Sequence, residues 1–297
     1  MARVDIDTIV KRYRKFVNKF GRTFLSSLDN QSLPEYSATR KASSELNALS
    51  AYTKEQLTRL LIRAYMDEQK KVRGYLRSQG VKRKRDDIVR FKRINESTLN
   101  ILLNDPFTGS IPLITKQLFN LKGRIRSIEM QARGLLNGTL MENALPETNL
   151  FTSISLASFI KIPTKRGPRH VRLDKFMRQL LNDAVSKARA VGMRNKMLEH
   201  GEEYIILRNP GGDDGAKGVY SNKVFALSKR AADELGVPHV SALPNGGVPM
   251  HPNSKMIESP WVKSIELKKE QKIEAPPEWA LHRSFESVRM EYQKRVG

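Results

Sequence analysis

Along the first third of the chain, apolar residues recur every three or four positions, the spacing of one buried face of an α-helix. From Ile6 to Leu28 the stripe is Ile6, Ile9, Val10, Tyr13, Val17, Phe20, Phe24 and Leu28, while Lys11, Lys15, Lys19 and Arg22 fall on another face. This predicts an amphipathic basic helix over 5–28. Residues 29–51 are rich in Ser and Asn with one Pro and read as a loop or linker with a single helical turn. A second helix is expected over 53–79. Thr53 is placed to cap it with Gln56 at the reciprocal position. Leu57, Leu60, Leu61, Ala64, Tyr65, Val72, Tyr75 and Leu76 form its core face, with Arg59, Arg63, Lys70, Arg73 and Arg77 on the other side. Gly80 ends it. Lys82, Arg83, Lys84 and Arg85 follow in a segment expected to be exposed, with Arg90, Lys92 and Arg93 close behind. A third helix, over 113–137, places Ile114, Leu118, Leu121, Ile125, Ile128, Ala132 and Leu135 at alternating steps of four and three, a coiled-coil spacing. That seam suits either an intramolecular hairpin or a neighbouring subunit.

The pattern changes in the second half. Leu173, Phe176, Met177, Leu180, Leu181, Ala184, Val185 and Ala188 predict a helix over 173–199, stopped by Gly201. EYIILR (203–208) is a short apolar run bounded by turn residues, read as a buried strand, and NPGGDDG (209–215) as a turn. KVFALS (223–228) is a second strand candidate and 230–236 a short helix. A charged stretch, ELKKEQKIE, then leads through Pro276-Pro277 to a final helix over 278–295. The expected fold class is α+β and predominantly α-helical, with long basic N-terminal helices followed by a smaller α+β C-terminal domain. The expected division is a basic helical region at 1–144, an α+β domain at 145–262 and a charged tail at 263–297.

Charge sharpens this picture. The 297 residues carry 53 Lys and Arg against 31 Asp and Glu, a formal net charge of +22, so the chain should attract a polyanion. The first hundred residues hold 23 basic and 11 acidic side chains, which concentrates the excess toward the predicted N-terminal helices. Lys and Arg suit phosphate, because each contact releases condensed counterions. Lys11, Lys15, Lys19, Arg22, Arg59, Arg63, Lys70, Arg73, Arg77, Lys82, Arg83, Lys84 and Arg85 are therefore candidate phosphate contacts, with an acidic partner protein as the competing use of the same faces. No zinc-finger spacing or aromatic RNA-binding motif is present, so readout of a specific sequence is not expected. The N-terminal MARVDIDTIVKRYRKF mixes acids and bases without an apolar signal core, and no stretch is long and apolar enough to span a bilayer, so neither secretion nor membrane insertion is expected.

Candidate catalytic chemistry is sparse. The chain has no cysteine, which removes thiolate metal sites and disulfides. Its five histidines, His170, His200, His239, His251 and His282, show no spacing of a zinc enzyme. Gly211 to Gly215 lacks the Gly-Lys-Ser/Thr continuation of a nucleotide loop and the alternating acids of a calcium loop, and it reads as a turn. No serine sits in a nucleophile elbow. No enzyme activity, metal or cofactor is expected.

The run from Lys217 to Asn253, KGVYSNKVFALSKRAADELGVPHVSALPNGGVPMHPN, carries a more particular signal. Preceded by the helix, strand and turn above, it resembles the C-terminal block of the head morphogenesis, or minor capsid, proteins of tailed bacteriophages. The resemblance covers residues 145–262 and rests on the order of elements, with Tyr220, Lys223, His251, Pro252 and Asn253 as motif residues of unassigned role. Many relatives carry cysteine pairs near the turn and after the His-Pro-Asn motif. Here those places read Asp213-Asp214-Gly215 and Ser254-Lys255, so no metal or disulfide role carries over. The resemblance implies a virion structural minor head protein at the capsid–portal or head–tail junction, made in the host cytoplasm. Its implied partners are portal, connector or capsid proteins and packaged double-stranded DNA, with multiple copies around the portal vertex. The alternative it leaves is an internal protein ejected with the DNA, acting as a host-directed factor or enzyme.

Overall fold

The structure, a computed structural model, describes residues 5–29, 36–82, 87–105, 111–112, 114–123, 159–162, 169–210, 216, 218–251, 254–266 and 273–296. Helix makes up 71% of the described residues and the principal sheet has three antiparallel strands, so the protein is a predominantly helical α+β fold. Two compact units form, Met1–Leu60 with Leu103–Leu181, and Leu61–Leu102 with Asn182–Gly297. This partition differs from 1–144, 145–262 and 263–297, because two long helices, Tyr36–Ser78 and Leu173–Glu199, each contribute residues to both units.

In the first unit, helix α1 (Ile6–Asp29) buries Ile9, Val10, Tyr13, Phe16 and Val17. Helix α2 begins at Tyr36, where a linker was expected, and runs unbroken to Ser78. Thr53 is interior to it: the hydroxyl donates to the Leu49 carbonyl at 2.7 Å and also meets the Tyr13 hydroxyl at 2.7 Å. The Ser- and Asn-rich stretch is helical because Ala42 and Leu46 bury one face and Glu45 pairs with Lys19. Packing of that kind overrides weak helix propensity. The predicted third helix is helical over 114–123, with Ile114, Leu118 and Leu121 buried, and its continuation over 124–137 lies outside the described residues. Strands β1 (Phe159–Ile162) and β2 (Arg169–Arg172) form an antiparallel pair that the hydropathy pattern did not indicate. Helix α4 (Leu173–Glu199) follows directly, with Asp174 in its first turn, where a carboxylate complements the helix dipole. Arg14 and Arg172 each reach Asp174 at 3.1 Å, and Arg178 reaches Asp7 at 2.6 Å. Helix α3 (Asp87–Asn104), which belongs to the second unit but for its last two residues, was expected only as an exposed segment. Phe91, Leu102 and Leu103 supply its buried positions.

The second unit is built around strand β3 (Tyr204–Arg208). It lies between β4 (Val224–Ala226) and β5 (Ile257–Pro260) in the order β4-β3-β5, with Ile205 opposite Phe225 and Pro260. Side chains alternate across a sheet, and here both faces are covered. Ile205, Leu207 and Phe225 join Val72 and Leu76 of α2, Met193 and Met197 of α4, and Ala280 and Val288 from the C-terminal segment. Tyr204, Ile206, Val224 and Ala226 pack with Ala231 of helix α5 (Lys229–Leu235) and with Trp261. Burial on both sides explains why β3 reads as a continuous apolar run. Beyond the short helix α6 (Lys263–Glu266), a 3₁₀ turn at Glu278–Ala280 and helix α7 (Phe285–Val296) complete the chain. The C-terminal residues are thus part of this core: the Tyr220 hydroxyl donates to the Ala280 carbonyl at 2.6 Å.

Two contacts fix α4 within this unit. Arg194 grips Glu258 of β5 with both Nε, at 2.7 Å, and Nη2, and Nη2 also donates to the Gly246 carbonyl at 3.0 Å. The Glu258 carboxylate, 1% exposed, accepts the Val248 N–H at 3.0 Å as well. The other contact is a close crossing, where a Cβ on Gly192 would lie 2.7 Å from the Tyr65 carbonyl oxygen of α2. Around it, Asn195 Nδ2 donates to the Tyr65 hydroxyl at 2.8 Å and to Thr98 Oγ1 at 3.1 Å, while Asn95 Oδ1 accepts from Gln69 at 2.9 Å and from the Tyr65 hydroxyl. Burial pushes the Tyr65 phenol up to about 12.

Two stability measurements test these contacts. Glu258→Ala leaves Arg194 without its carboxylate and should cost about 3–5 kcal/mol in a urea titration, whereas replacing both partners by Met and Leu should recover most of the loss. Gly192→Ala should lower stability by about 1–3 kcal/mol through overpacking. Gly74→Ala, where a Cβ meets nothing within 4 Å, should instead raise it by roughly 0.5–1 kcal/mol.

Candidate nucleic-acid interface

The exposed side of the second half of α2 is predominantly cationic, with one exposed acid, Asp67, about one turn from both Arg63 and Lys70. Arg63, Lys70, Arg73 and Arg77 are exposed and separated by whole-turn multiples, so they line one side of the helix. From Arg63 to Arg77 that side runs about 21 Å at about 1.5 Å per residue, which matches some six base-pair steps of about 3.4 Å. Met66, 51% exposed, lies among them. The opposite side of the helix supplies Val72 and Leu76 to the core, so the cations cannot turn inward without undoing it.

The helix ends with the paired hydrogen bonds of a Schellman turn. Val81 N–H donates to the Leu76 carbonyl and Gly80 N–H to the Arg77 carbonyl, both at 3.0 Å, with Gly80 at φ +73°. Helix α4 ends in the same way: Glu202 N–H donates to Met197 and Gly201 N–H to Leu198, again at 3.0 Å, with Gly201 at φ +74°. Left-handed φ of this size is the reason both positions are glycine. Between the two ends lies a cleft of about 390 Å³ lined by Arg73, Arg77, Gly80, Val81, Lys82 and His200. His200 is buried, and its Nδ1 lies 3.0 Å from the Lys196 carbonyl, so that nitrogen carries the hydrogen.

The candidate phosphate contacts differ in how far they are already engaged. Among the described residues, Arg63, Lys70, Arg73, Arg77 and Lys82 make no ion pair. Arg59 reaches Glu55 at 2.7 Å and Lys19 pairs with Glu45. Lys11 and Lys15 are exposed on α1, and Lys15 and Lys19 line a second groove of about 360 Å³ with Arg12, Phe16, Glu45, Ala48 and Leu49. Arg12 stacks on the Tyr52 ring at 3.7 Å. The side chain of Arg22 and the whole of Arg83, Lys84 and Arg85 lie outside the described residues. Sequence reasoning did not place His200, Gly80 or Val81 at the site. The signal was present in two Gly-terminated helices, but only tertiary packing brings their ends together.

The motif residues take structural positions. Tyr220 is fully buried, and burial raises its phenol well above the ordinary tyrosine range. Lys223 pairs with Glu274. The His251 ring lies 4.3 Å from Phe285, centroid to centroid. His239 accepts from the Ser241 N–H at 3.2 Å through Nδ1, capping a 3₁₀ turn, and its Nε2 faces the Leu227 carbonyl at 3.3 Å. Pro252, Asn253 and the loop 211–215 lie outside the described residues. Among the described residues no cluster of His, Asp and Glu could hold a metal ion, and no helix is long and apolar enough to cross a membrane. No protein-family model, curated protein or solved structure matches this chain.

Proposed function

We propose that this protein contacts double-stranded DNA without sequence preference and acts by binding and assembly. The observation that carries the reading is the α2 face, where Arg63, Lys70, Arg73 and Arg77 stand exposed, with no ion pair among the described residues, on a helix whose other side is anchored in the core. A rigid row of cations suits a regular row of phosphates. The phage placement draws on the resemblance of residues 145–262. On that reading the protein is a minor head protein at the capsid–portal or head–tail junction, present in several copies. Its charge offsets phosphate repulsion near the vertex, and its other surfaces dock on portal, connector or capsid proteins.

Each part of this reading has its own test. Affinity for random duplex DNA should fall steeply with salt, with log K changing by about 0.9 per log unit of salt for each phosphate engaged. Engagement of Arg63, Lys70, Arg73, Arg77 and Lys82, five cations, therefore gives a slope of about −4 to −5. A flat dependence would refute DNA contact. Quantitative mass spectrometry of purified particles before and after triggered DNA release tests the placement. Retention at a fixed ratio to the portal is the expected result. Loss with the genome would favour an ejected factor, and absence from the particle would overturn the assignment.

A further inference from the structure

We propose that the cleft at the C-terminal end of α2 seats a single nucleotide phosphate together with the sugar that bears it; the inference rests on the nucleic-acid reading of α2. Its volume of about 390 Å³ exceeds what a bare phosphate needs and falls within the roughly 300–1,000 Å³ of small-molecule sites. The lining holds Arg73, Arg77 and Lys82 and no carboxylate among the described residues. Arg73 and Arg77 stand one turn apart on the same helix face and both line the cleft, and the planar guanidinium fork suits phosphate oxygens. The reversal at Gly80 brings Val81 and Lys82 to the other wall. His200 closes the cleft from the end of α4, its ring held by the bond to Lys196.

Both helix ends at the cleft are C-termini, and each ordinarily repels an anion with a partial charge of about −0.5. Here three formal positive charges outweigh both, and the Schellman bonds already occupy the Leu76 and Arg77 carbonyls of α2 and the Met197 and Leu198 carbonyls of α4. The rest of the α2 face is a convex row of cations, which holds a phosphate backbone by field alone. The cleft is concave, so the bound group is desolvated and each charge acts through a lower effective dielectric.

The test compares two variants of the full chain that lose the same charge, Arg77→Gln with Lys82→Gln in the cleft and Arg63→Gln with Lys70→Gln on the open face. Anisotropy is read with a short fluorescent duplex carrying either a 5′-phosphate or a 5′-hydroxyl at its unlabelled end. The cleft pair is expected to weaken binding several-fold more than the face pair. A preference for the 5′-phosphate probe that disappears in the cleft pair identifies a terminal phosphate as the ligand. Equal affinity for both probes, with the larger loss still in the cleft pair, identifies a backbone phosphate. Equal losses in the two pairs overturn the seat while leaving DNA contact standing. No binding by the unaltered protein overturns the reading beneath it. As a measure that needs no variant, inorganic phosphate should displace the probe from the unaltered protein more strongly than chloride at equal ionic strength, and equal displacement counts against the seat.

Discussion

The buried ion pair between Arg194 and Glu258 is the constraint on which the second unit depends. Glu258 sits on an edge strand with almost no exposure, so its charge is tolerable only because Arg194 and the Val248 N–H surround it. The same guanidinium holds the Gly246 carbonyl, and it fills the space a side chain on Gly247 would need. One arginine on α4 thereby fixes the position of β5 and of the glycine-rich loop before it. Since β5 pairs with β3 along four residues, the orientation of α4 against the sheet follows from the same contact.

The cationic face inherits its rigidity from that arrangement. Helix α2 crosses α4 at Gly192, where its backbone comes too close for any larger residue, and a hydrogen-bonded cluster of Tyr65, Gln69, Asn95, Thr98 and Asn195 surrounds the crossing. Such a network specifies one arrangement, because each polar group would otherwise be stranded away from water. With α2 held there and again by Val72 and Leu76, the register between its end and the end of α4 is set. The cleft between Arg77, Lys82 and His200 is a product of that register.

The motif residues play a different part. Tyr220, Lys223 and His251 each join the sheet region to the C-terminal segment, through Ala280, Glu274 and Phe285 respectively. Their spacing in the sequence therefore describes how a small α+β core closes on its own C-terminus. Among the described residues Arg63, Lys70, Arg73 and Arg77 of α2, by contrast, make no ion pair, while Arg59 pairs with Glu55.

Much of the architecture was legible from periodicity. The bounds of α1 and α4, the Gly80 and Gly201 stops, the β3 strand and the side of α2 that carries Arg63 to Arg77 all follow from local rules, since a helix or a buried strand imposes its own spacing on apolar residues. The candidate cations were legible for the same reason, as the complement of an apolar stripe. Other features depended on partners distant in sequence. Residues 36–52 became helical because Ala42, Leu46 and Glu45 found burial and a Lys19 partner, and Thr53 turned from a cap into a buried link to Tyr13. The strand role of Ile257–Pro260 came from pairing with β3, and the charged C-terminal segment entered the core through Ala280 and Val288. The sequence by itself determined the helices, their polarity and the excess of positive charge, all of which are encoded within a few turns of chain. Only the tertiary structure decided that Lys19 meets Glu45, that Arg194 meets Glu258 and which two helix ends adjoin, because such pairs and clefts arise from distances between segments that no local spacing contains.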